Sequence, residues 1–495
     1  MMGRQAKGRQ EKLFYKGICL EQRVRADHPL RKINQLIDFD FTYQEVAGSY
    51  GVNGNVSVPP PVLLKLMLLL IFYNVRSERE LMATVPERND WIWFLGLDLD
   101  DPTPNHSVLS KARARWGREI FKQFFKRIVR QCVSAGLVDG AKLFMDSSLI
   151  QADASIGSVI DRRSLKRYLK AGYRELEARL DDLSQSAEDD GRINSTHVST
   201  TDPDASIVRK GKGPSGLSYK THRAVDGQAE IITATEVTPG DVNEGHLLAG
   251  LVDQHTGNTS SRVETVVADS QYGTARNYLE CLDRGIEAHL SAFKEGRGKK
   301  GFFSDKQFRY APEDDTYVCP AGKRLKCARY IEEDEAFQYQ CKARICNKCP
   351  MRAQCTTSKG GRTIRRHLRH DEILQMRELA LSSASKRDLR TRQHLMERSF
   401  ARAVRFGFKR TRWRGLWRAQ IQEYLTAAIQ NIMTLVRYVK EPRKAASMAM
   451  EKAMGGGAHL EKGYAKIIAL LRSLSLCLAA FLNSTRRQRQ IGFQG

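Results

Sequence analysis

Residues 263–269, VETVVAD, constrain the fold more than any other stretch of the chain. An apolar run broken only by Glu264 and Thr265 ends on a carboxylate, and Gly273 and Thr274 then introduce a helix that Gly285 stops. A short apolar run bounded by turn residues reads as a buried strand, so Asp269 is expected at a strand tip. KLFMDSSLI, preceded by Gly140, repeats the arrangement, and Asp146 is expected to follow the strand LFM. LSYKTHRAVDGQAEIITATEV lies between them and reads as two strands joined at Asp226-Gly227, a strong hairpin signal. With helices expected near 243–253 and 274–284, this order implies a mixed sheet covered by helices.

The flanks have a different texture. Residues 1–138 read as a helical module. Ser77 and Glu80 have capping-box spacing, Asn105 or Ser107 can cap the next helix, and residues 120, 124, 125, 128, 129 and 132 form one apolar face that ends near Gly136. Such a module is able to place a helix on DNA, although packing alone explains the spacing. A polar helix is expected over about 162–184, and a helix with an apolar stripe at 421, 425, 428, 432, 435 and 439. VLLKLMLLLIFY (62–73) is too short to span a bilayer and contains Lys65, so it reads as a buried helix. KIIALLRSLSLCLAAFL (466–482) carries Arg472 and reads as an amphipathic helix. No signal peptide is recognisable in MMGRQAKGRQ, so a reducing, cytoplasmic location without membrane insertion is expected.

Lys and Arg outnumber Asp and Glu by 81 to 56, which favours polyanionic partners. Between Lys386 and Arg418 twelve Lys/Arg face only Asp388 and Glu397. Arg398, Arg402, Arg405, Lys409, Arg410, Arg412, Arg414 and Arg418 are the expected phosphate contacts. The interleaved Phe400, Phe406, Phe408, Trp413 and Trp417 either stack on unpaired bases or belong to the core. Residues 295–370 hold six of the ten cysteines. Cys346 and Cys349 have zinc-knuckle spacing, and a tetrahedral zinc needs two more ligands. Cys319, Cys327, Cys341 and Cys355 are the other cysteines available to it.

Asp146, Asp269 and Glu397 each have a structural reading, as a turn residue, a helix cap and half of a salt bridge. Together they have a chemical one. Two Mg²⁺ (or Mn²⁺) ions need several hard oxygen ligands from separate elements, and such a pair activates a water or a 3′-hydroxyl for phosphodiester transfer. Asp153 competes with Asp146 but lies beyond the strand end.

The stretches LFMDSSLIQADAS, STTDPDASIVRKGKGPSGLSYKTHRAVDGQAEIITATEVTPGDVNEGHLL, VVADSQYG and MERSFARAVRFGFKRTRWRGLWRAQIQEYLTAAIQNI resemble DDE transposases of bacterial insertion sequences. The resemblance spreads over most of residues 140–440, and ADHPLRKI, PPPVLLKLMLL and ERND resemble the same group's leading helical domain. It implies an RNase H-like α/β core with Asp146, Asp269 and Glu397 as the metal-holding acids and, since Cys-Pro and the paired cysteine motif recur in similar transposases, Cys319, Cys346, Cys349 and Cys355 as the structural zinc set, with Cys327 and Cys341 able to substitute. It also implies element ends and target DNA as substrates, a homo-oligomer on DNA, and a nucleoid-associated enzyme in the bacterial cytoplasm. The Arg four before and the Lys seven after the Glu of many relatives are replaced by Gln393 and Val404. The expected domains are 1–138, helical and DNA-binding; 139–294, the core's first part; 295–370, a zinc-ribbon-like insertion; 371–440, the core's C-terminal helices; and 441–495, a helical tail. A nuclease with the same core that does not join strands, a zinc-dependent DNA-binding protein without catalysis, and a decayed transposase are the alternatives.

Overall fold

The computed structural model describes residues 2–4, 19–51, 56–161, 193–209, 211, 213–291 and 302–440. The helices expected over 162–184 and 466–482, and the tail 441–495, lie outside these residues. The chain divides into two units, Met1–Thr434 and Leu435–Gly495, and the features below, apart from residues 435–440 of the last helix, belong to the first.

The N-terminal module is helical, as its spacing implies. Helix α1 (Pro60–Phe72) buries Leu63, Leu64, Leu66, Met67, Leu68, Leu69, Leu70 and Ile71, so it is the module's central rod. Lys65 survives there because its Nζ donates to Asn34 Oδ1 and the Phe94 carbonyl, each at 2.8 Å. Burial lowers its pKa to about 8. The Ser77 hydroxyl accepts from Glu80 N and caps the helix Glu78–Thr84. Helix α2 (Glu119–Ser134) buries Ile120, Phe124, Phe125, Ile128, Val129 and Cys132, the anticipated face. No described helix is long and apolar enough to cross a membrane.

The central sheet contains β1 (Lys142–Gln151), β2 (Ser215–Asp226), β3 (Ile232–Pro239), β4 (Thr265–Ala268) and β5 (Glu287–Leu290). Their order is β3-β2-β1-β4-β5, and a short strand, Ser206–Arg209, also pairs with β2. The β1–β2 and β2–β3 pairs are antiparallel, whereas β1–β4 and β4–β5 are parallel. Parallel neighbours require crossovers. Helix α3 (Leu248–Thr259) leads from β3 into β4, and α4 (Ala275–Asp283) leads from β4 into β5. Thr274 caps α4 by accepting from Asn277 N, and Gly285, at φ +67°, ends the segment. Leu143 and Met145 of β1 join Leu251 and Val252 of α3 and Tyr278 of α4 in one core. Alternation puts Phe144 and Asp146 on the other face, where α6 (Ser383–Val404) lies. Helices α5 (His370–Ala380) and α7 (Leu416–Lys440) complete the layer elements.

The cysteine-rich segment builds its own five-stranded antiparallel sheet: β6 (Arg309–Ala311), β7 (Thr316–Val318), β8 (Arg324–Ile331), β9 (Ala336–Gln340) and β10 (Thr363–His367), paired in chain order.

Two of the histidines buried in or beside the central sheet have lowered pKa values. His255 Nε2 donates to the Gly140 carbonyl at 3.2 Å while its Nδ1 accepts from Thr233 Oγ1 at 2.7 Å, an arrangement of the neutral ring. His222 Nε2 meets Thr238 Oγ1 at 2.9 Å, and its Nδ1 has no partner. Burial lowers the two pKa values from 6.5, to about 4 for His255 and about 3 for His222. Between pH 6.5 and 4 the unfolded chain therefore binds protons that the native state refuses, and stability falls as pH falls. At about 1.4 kcal/mol per unit, roughly 2 kcal/mol is lost per histidine on reaching pH 5. The raised carboxylates Asp146, Asp226 and Glu236 work in the opposite direction over the same range. The urea midpoint of His222→Gln is expected to drop less than that of the wild type between pH 7 and pH 5; equal drops would refute this origin of acid sensitivity.

Candidate active site

Asp269 lies immediately after β4, at the strand tip read from the sequence. Its Oδ1 accepts from Gln271 N at 2.9 Å, which folds the following turn back on the carboxylate. Asp146 departs from expectation. It sits inside β1, not after it, because β2 runs alongside and pairs every residue from Leu143 to Gln151. The two aspartates still meet. The parallel register pairs Lys142 with Thr265, Leu143 with Val266 and Phe144 with Val267. Continued by two residues, that register sets position 146 level with position 269, where β4 has ended and β1 continues.

A third carboxylate joins them. One carboxylate oxygen from each of Asp146, Glu244 and Asp269 lies within 4.8 Å of the others, the one group of three or more such ligands among the described residues. Glu244 opens the single-turn helix Glu244–Leu247 between β3 and α3. Asn243 and Glu244 look in sequence like ordinary helix-start chemistry, which is why Glu244 escaped notice. Only the packing of this turn against the Asp269 turn reveals it. Asn277 Nδ2 donates to the carbonyls of Gly245 (2.8 Å) and Tyr272 (2.9 Å), fastening the two turns together. A Cβ at Gly245 would lie 3.0 Å from the Gln271 carbonyl oxygen, so a larger residue there would require the turns to give by a few tenths of an ångström.

The charge balance is tense. Asp146 Oδ2 accepts from Arg392 Nη1 of α6 at 2.6 Å, and its Oδ1 accepts from Ser147 N at 2.8 Å. Burial nevertheless raises its pKa to about 6, with Arg392 opposing the shift and Asp269 and Glu244 adding to it. Lys220 Nζ lies 3.5 Å from Glu244. Like charges this close, only partly offset by two cations, suit a divalent ion.

Glu397 is not drawn into this group. It is exposed on α6, and its Oε1 accepts from Gln393 Nε2, one turn back, at 3.2 Å. On a helix the residue five places from Arg392 points elsewhere. Asp153 is engaged with the basic loop instead: its Oδ1 accepts from Arg410 Nη2 at 2.8 Å and its carbonyl from Arg414 Nε at 3.0 Å. That loop is tied to the end of β1, where Gln151 N donates to the Lys409 carbonyl (3.1 Å) and Thr411 N to the Gln151 carbonyl (2.8 Å).

The expected phosphate contacts separate into groups. Arg405, Lys409, Arg410 and Arg414 are exposed. Arg398 and Arg402 both pair with Glu230, at the tip of the β2–β3 hairpin. Arg412 is a correction: its guanidinium donates to Asn74 Oδ1 and the Val75 carbonyl, and burial lowers its pKa, so it joins the basic loop to the end of α1. Of the two readings of the rings, the structure favours the core for those that follow. Phe406 and Phe408 are buried, Phe406 stacks on Phe72 and Phe400 on Phe408, and Trp413 carries the Arg113 guanidinium at 3.9 Å from its centroid. Their faces are used inside the protein.

Cys319, Cys341, Cys346, Cys349 and Cys355 line one small cavity in the cysteine-rich sheet. Cys319 Sγ accepts from Lys323 N at 3.3 Å and Cys346 Sγ from Arg362 N at 3.5 Å. Cys327 is exposed on β8, outside this cavity. Burial pushes the Cys341 thiol up to about 12. The sulfurs do not close to the spacing of the carboxylates.

Residues 18–115 match the family model described as a transposase domain (DUF772), and residues 318–436 match the one described as a transposase DDE domain. No curated protein and no solved structure matches the chain. The first match takes in α1 and most of the helical module. The second begins after Asp269 and runs through most of the cysteine-rich sheet, α5 and α6 into α7, so the sheet lies largely within the matched DDE domain. That domain implies an RNase H-like fold, and the mixed sheet with its flanking helices agrees. Two transposase matches on one chain, with an acidic cluster of the kind such enzymes use for divalent metal, support a DDE transposase of an insertion sequence, an enzyme that cuts DNA and transfers strands.

Proposed function

We propose that the enzyme cleaves DNA at the ends of its element and joins the freed 3′-ends to target DNA, using Mg²⁺ or Mn²⁺ held by Asp146 and Asp269. The carrying observation is the shared level of these two carboxylates on neighbouring parallel strands, with a third acid within 4.8 Å. The donor set fits: three hard, partly desolvated carboxylates with too few cations to balance them. A bound pair of ions would supply an activated water or hydroxyl and stabilise the leaving oxygen. The chain's own contribution is positional. β1 and the Asx turn at Asp269 fix two ligands, Arg392 holds the Asp146 carboxylate, and the resemblance assigns the third ligand to Glu397 whereas the geometry favours Glu244.

Arg405, Lys409, Arg410, Arg414 and Arg418, with Arg398 and Arg402 beside Glu230, would bind the DNA backbone, and the helical residues 1–138 would bind element ends. Cutting two ends together asks for at least a dimer, acting among the cell's own DNA. The cysteine-rich sheet would hold a structural zinc. Backbone N–H groups already directed at the sulfurs of Cys319 and Cys346 are the second layer such ligands use. Cys349 and Cys355 would complete the set, with Cys341 the alternative fourth ligand.

The test is cleavage and joining of labelled DNA bearing the sequences that flank the gene, with and without Mg²⁺, for the wild type and Asp269→Asn. The expected result is Mg²⁺-dependent products with the wild type alone and DNA binding by both. Binding without products from either protein would favour a non-catalytic DNA-binding role.

A further inference from the structure

Beyond the basic stretch already assigned to DNA, we infer that the tip of the cysteine-rich sheet is a second docking surface for the phosphate backbone of duplex DNA, carried by Lys323, Arg344 and Lys348. It rests on the proposed function only for the identity of the polyanion. The two ends of this sheet carry opposite charge. At one end the turn between β8 and β9 is Glu332, Glu333, Asp334 and Glu335. At the other, the connection from β9 to β10, residues 341–362, holds six Lys/Arg and no Asp or Glu. The acidic end is the fastened one. Leu368 N donates to the Glu335 carbonyl at 2.8 Å, and the Arg369 guanidinium pairs with Asp283 of α4 at 2.6 and 2.8 Å. Strand β10 is five residues long, so the basic tip stands about 17 Å from this anchorage.

Separate segments converge at the tip. Lys323, from the turn between β7 and β8, lines one shallow cleft with Arg344 and Lys348, and Ala321, Ile345 and Pro350 add apolar surface to it. These three cations are exposed, as are Lys342 and Lys359 of the same connection, and none of the five has an ion-pair partner among the described residues. Elsewhere on the sheet the cations are balanced: Arg324 pairs with Asp314 and Arg365 with Asp334. Like charges gathered without partners repel one another, and a polyanion offsets that repulsion while releasing its own counterions. A protein partner fits less well, because lysine is depleted at protein interfaces and four of these five residues are lysines. An arm with its acids at the anchored end and its cations at the other has the polarity that a grip on DNA needs.

The experiment is equilibrium binding of the full chain to two labelled duplexes, one carrying the sequences that flank the gene and one unrelated, over a series of salt concentrations. A neutral variant combining Lys323→Gln, Arg344→Gln and Lys348→Gln is compared with the wild type and with a charge-keeping variant, Lys323→Arg with Arg344→Lys and Lys348→Arg. The neutral variant is expected to bind both duplexes more weakly, with a salt slope shallower by about one per cation, about three in all. The charge-keeping variant is expected to retain affinity and slope, and both variants the wild-type thermal midpoint, since the side chains are exposed. Wild-type affinity and slope in the neutral variant overturn the inference. So does a loss confined to the flanking sequences, because a backbone contact is blind to sequence. Equal loss in the charge-keeping variant would trace the effect to the fold of the tip and overturn it as well. Unchanged DNA binding with altered self-association in light scattering would make the tip a protein contact instead. A wild type that binds neither duplex would sink the proposed function itself, a result distinct from all of these.

Discussion

Glu423→Ala is expected to destabilise the enzyme by about 3–5 kcal/mol, as removing one partner of a buried ion pair does. Arg223 on β2 and Glu423 on α7 are both fully buried, and they meet through two parallel bonds, Nε to Oε1 at 2.7 Å and Nη2 to Oε2 at 3.0 Å. Arg223 Nη1 also donates to the Ser399 carbonyl and hydroxyl, and Thr235 Oγ1 donates to Glu423 Oε1 at 2.9 Å. Phe400 and Phe408 flank the guanidinium, their centroids at 4.9 and 4.8 Å. Truncating Glu423 strands a guanidinium where no water can reach it. Replacing both partners by Leu and Met of similar volume should cost far less, since the desolvation penalty disappears with the charges. Urea midpoints at fixed slope measure both cases. A single variant as stable as the double one would mean that Arg223 finds another partner. Arg223 stands directly opposite Asp146 in the β1–β2 register, so the loss should also be felt in catalysis.

Asp146→Asn is expected to slow cleavage and joining by at least about 10³-fold while DNA binding is kept or tightened. A metal ligand contributes several kcal/mol of transition-state charge stabilisation, and about 4 kcal/mol corresponds to a factor of 10³. Binding should not suffer, because the variant removes a negative charge from the place where a phosphate arrives. Arg392 keeps an oxygen to donate to, so α6 should remain in place. Single-turnover cleavage of labelled ends reads the first effect and salt titration of binding reads the second. A loss of less than about tenfold would remove Asp146 from the metal site.

The elements that local chemistry specifies were legible in the sequence. The caps at Ser77 and Thr274, the glycine stops at 136 and 285, the α2 stripe, the hairpin and the strand leading to Asp269 all follow from spacing within one segment. The failures are tertiary. Ser147 and Ser148 suggest that the strand stops before them, yet they stay in β1 because β2 supplies their ladder from more than seventy residues away. Arg392 was one cation among twelve until α6 laid it against Asp146. Glu244 resembled a helix-start acid until Asn277 fastened its turn to that of Asp269. Arg412 and the phenylalanines of the basic stretch illustrate the converse: composition implied a DNA-facing surface, and packing turned part of it inward.

The bonds between Gln151 and residues 409 and 411 make β1 a ruler as well as a scaffold. Asp146 and Gln151 are five residues apart on one strand, about 17 Å at the usual rise. The basic loop is thus held at a set distance from the carboxylates by backbone that pairs along its whole length with β2. Measured along the axis of a DNA duplex, that distance corresponds to roughly five base-pair steps. If Lys409 and Arg410 grip phosphates as proposed, the separation between those phosphates and the cut would be a property of strand geometry, altered by adding residues to β1 or removing them.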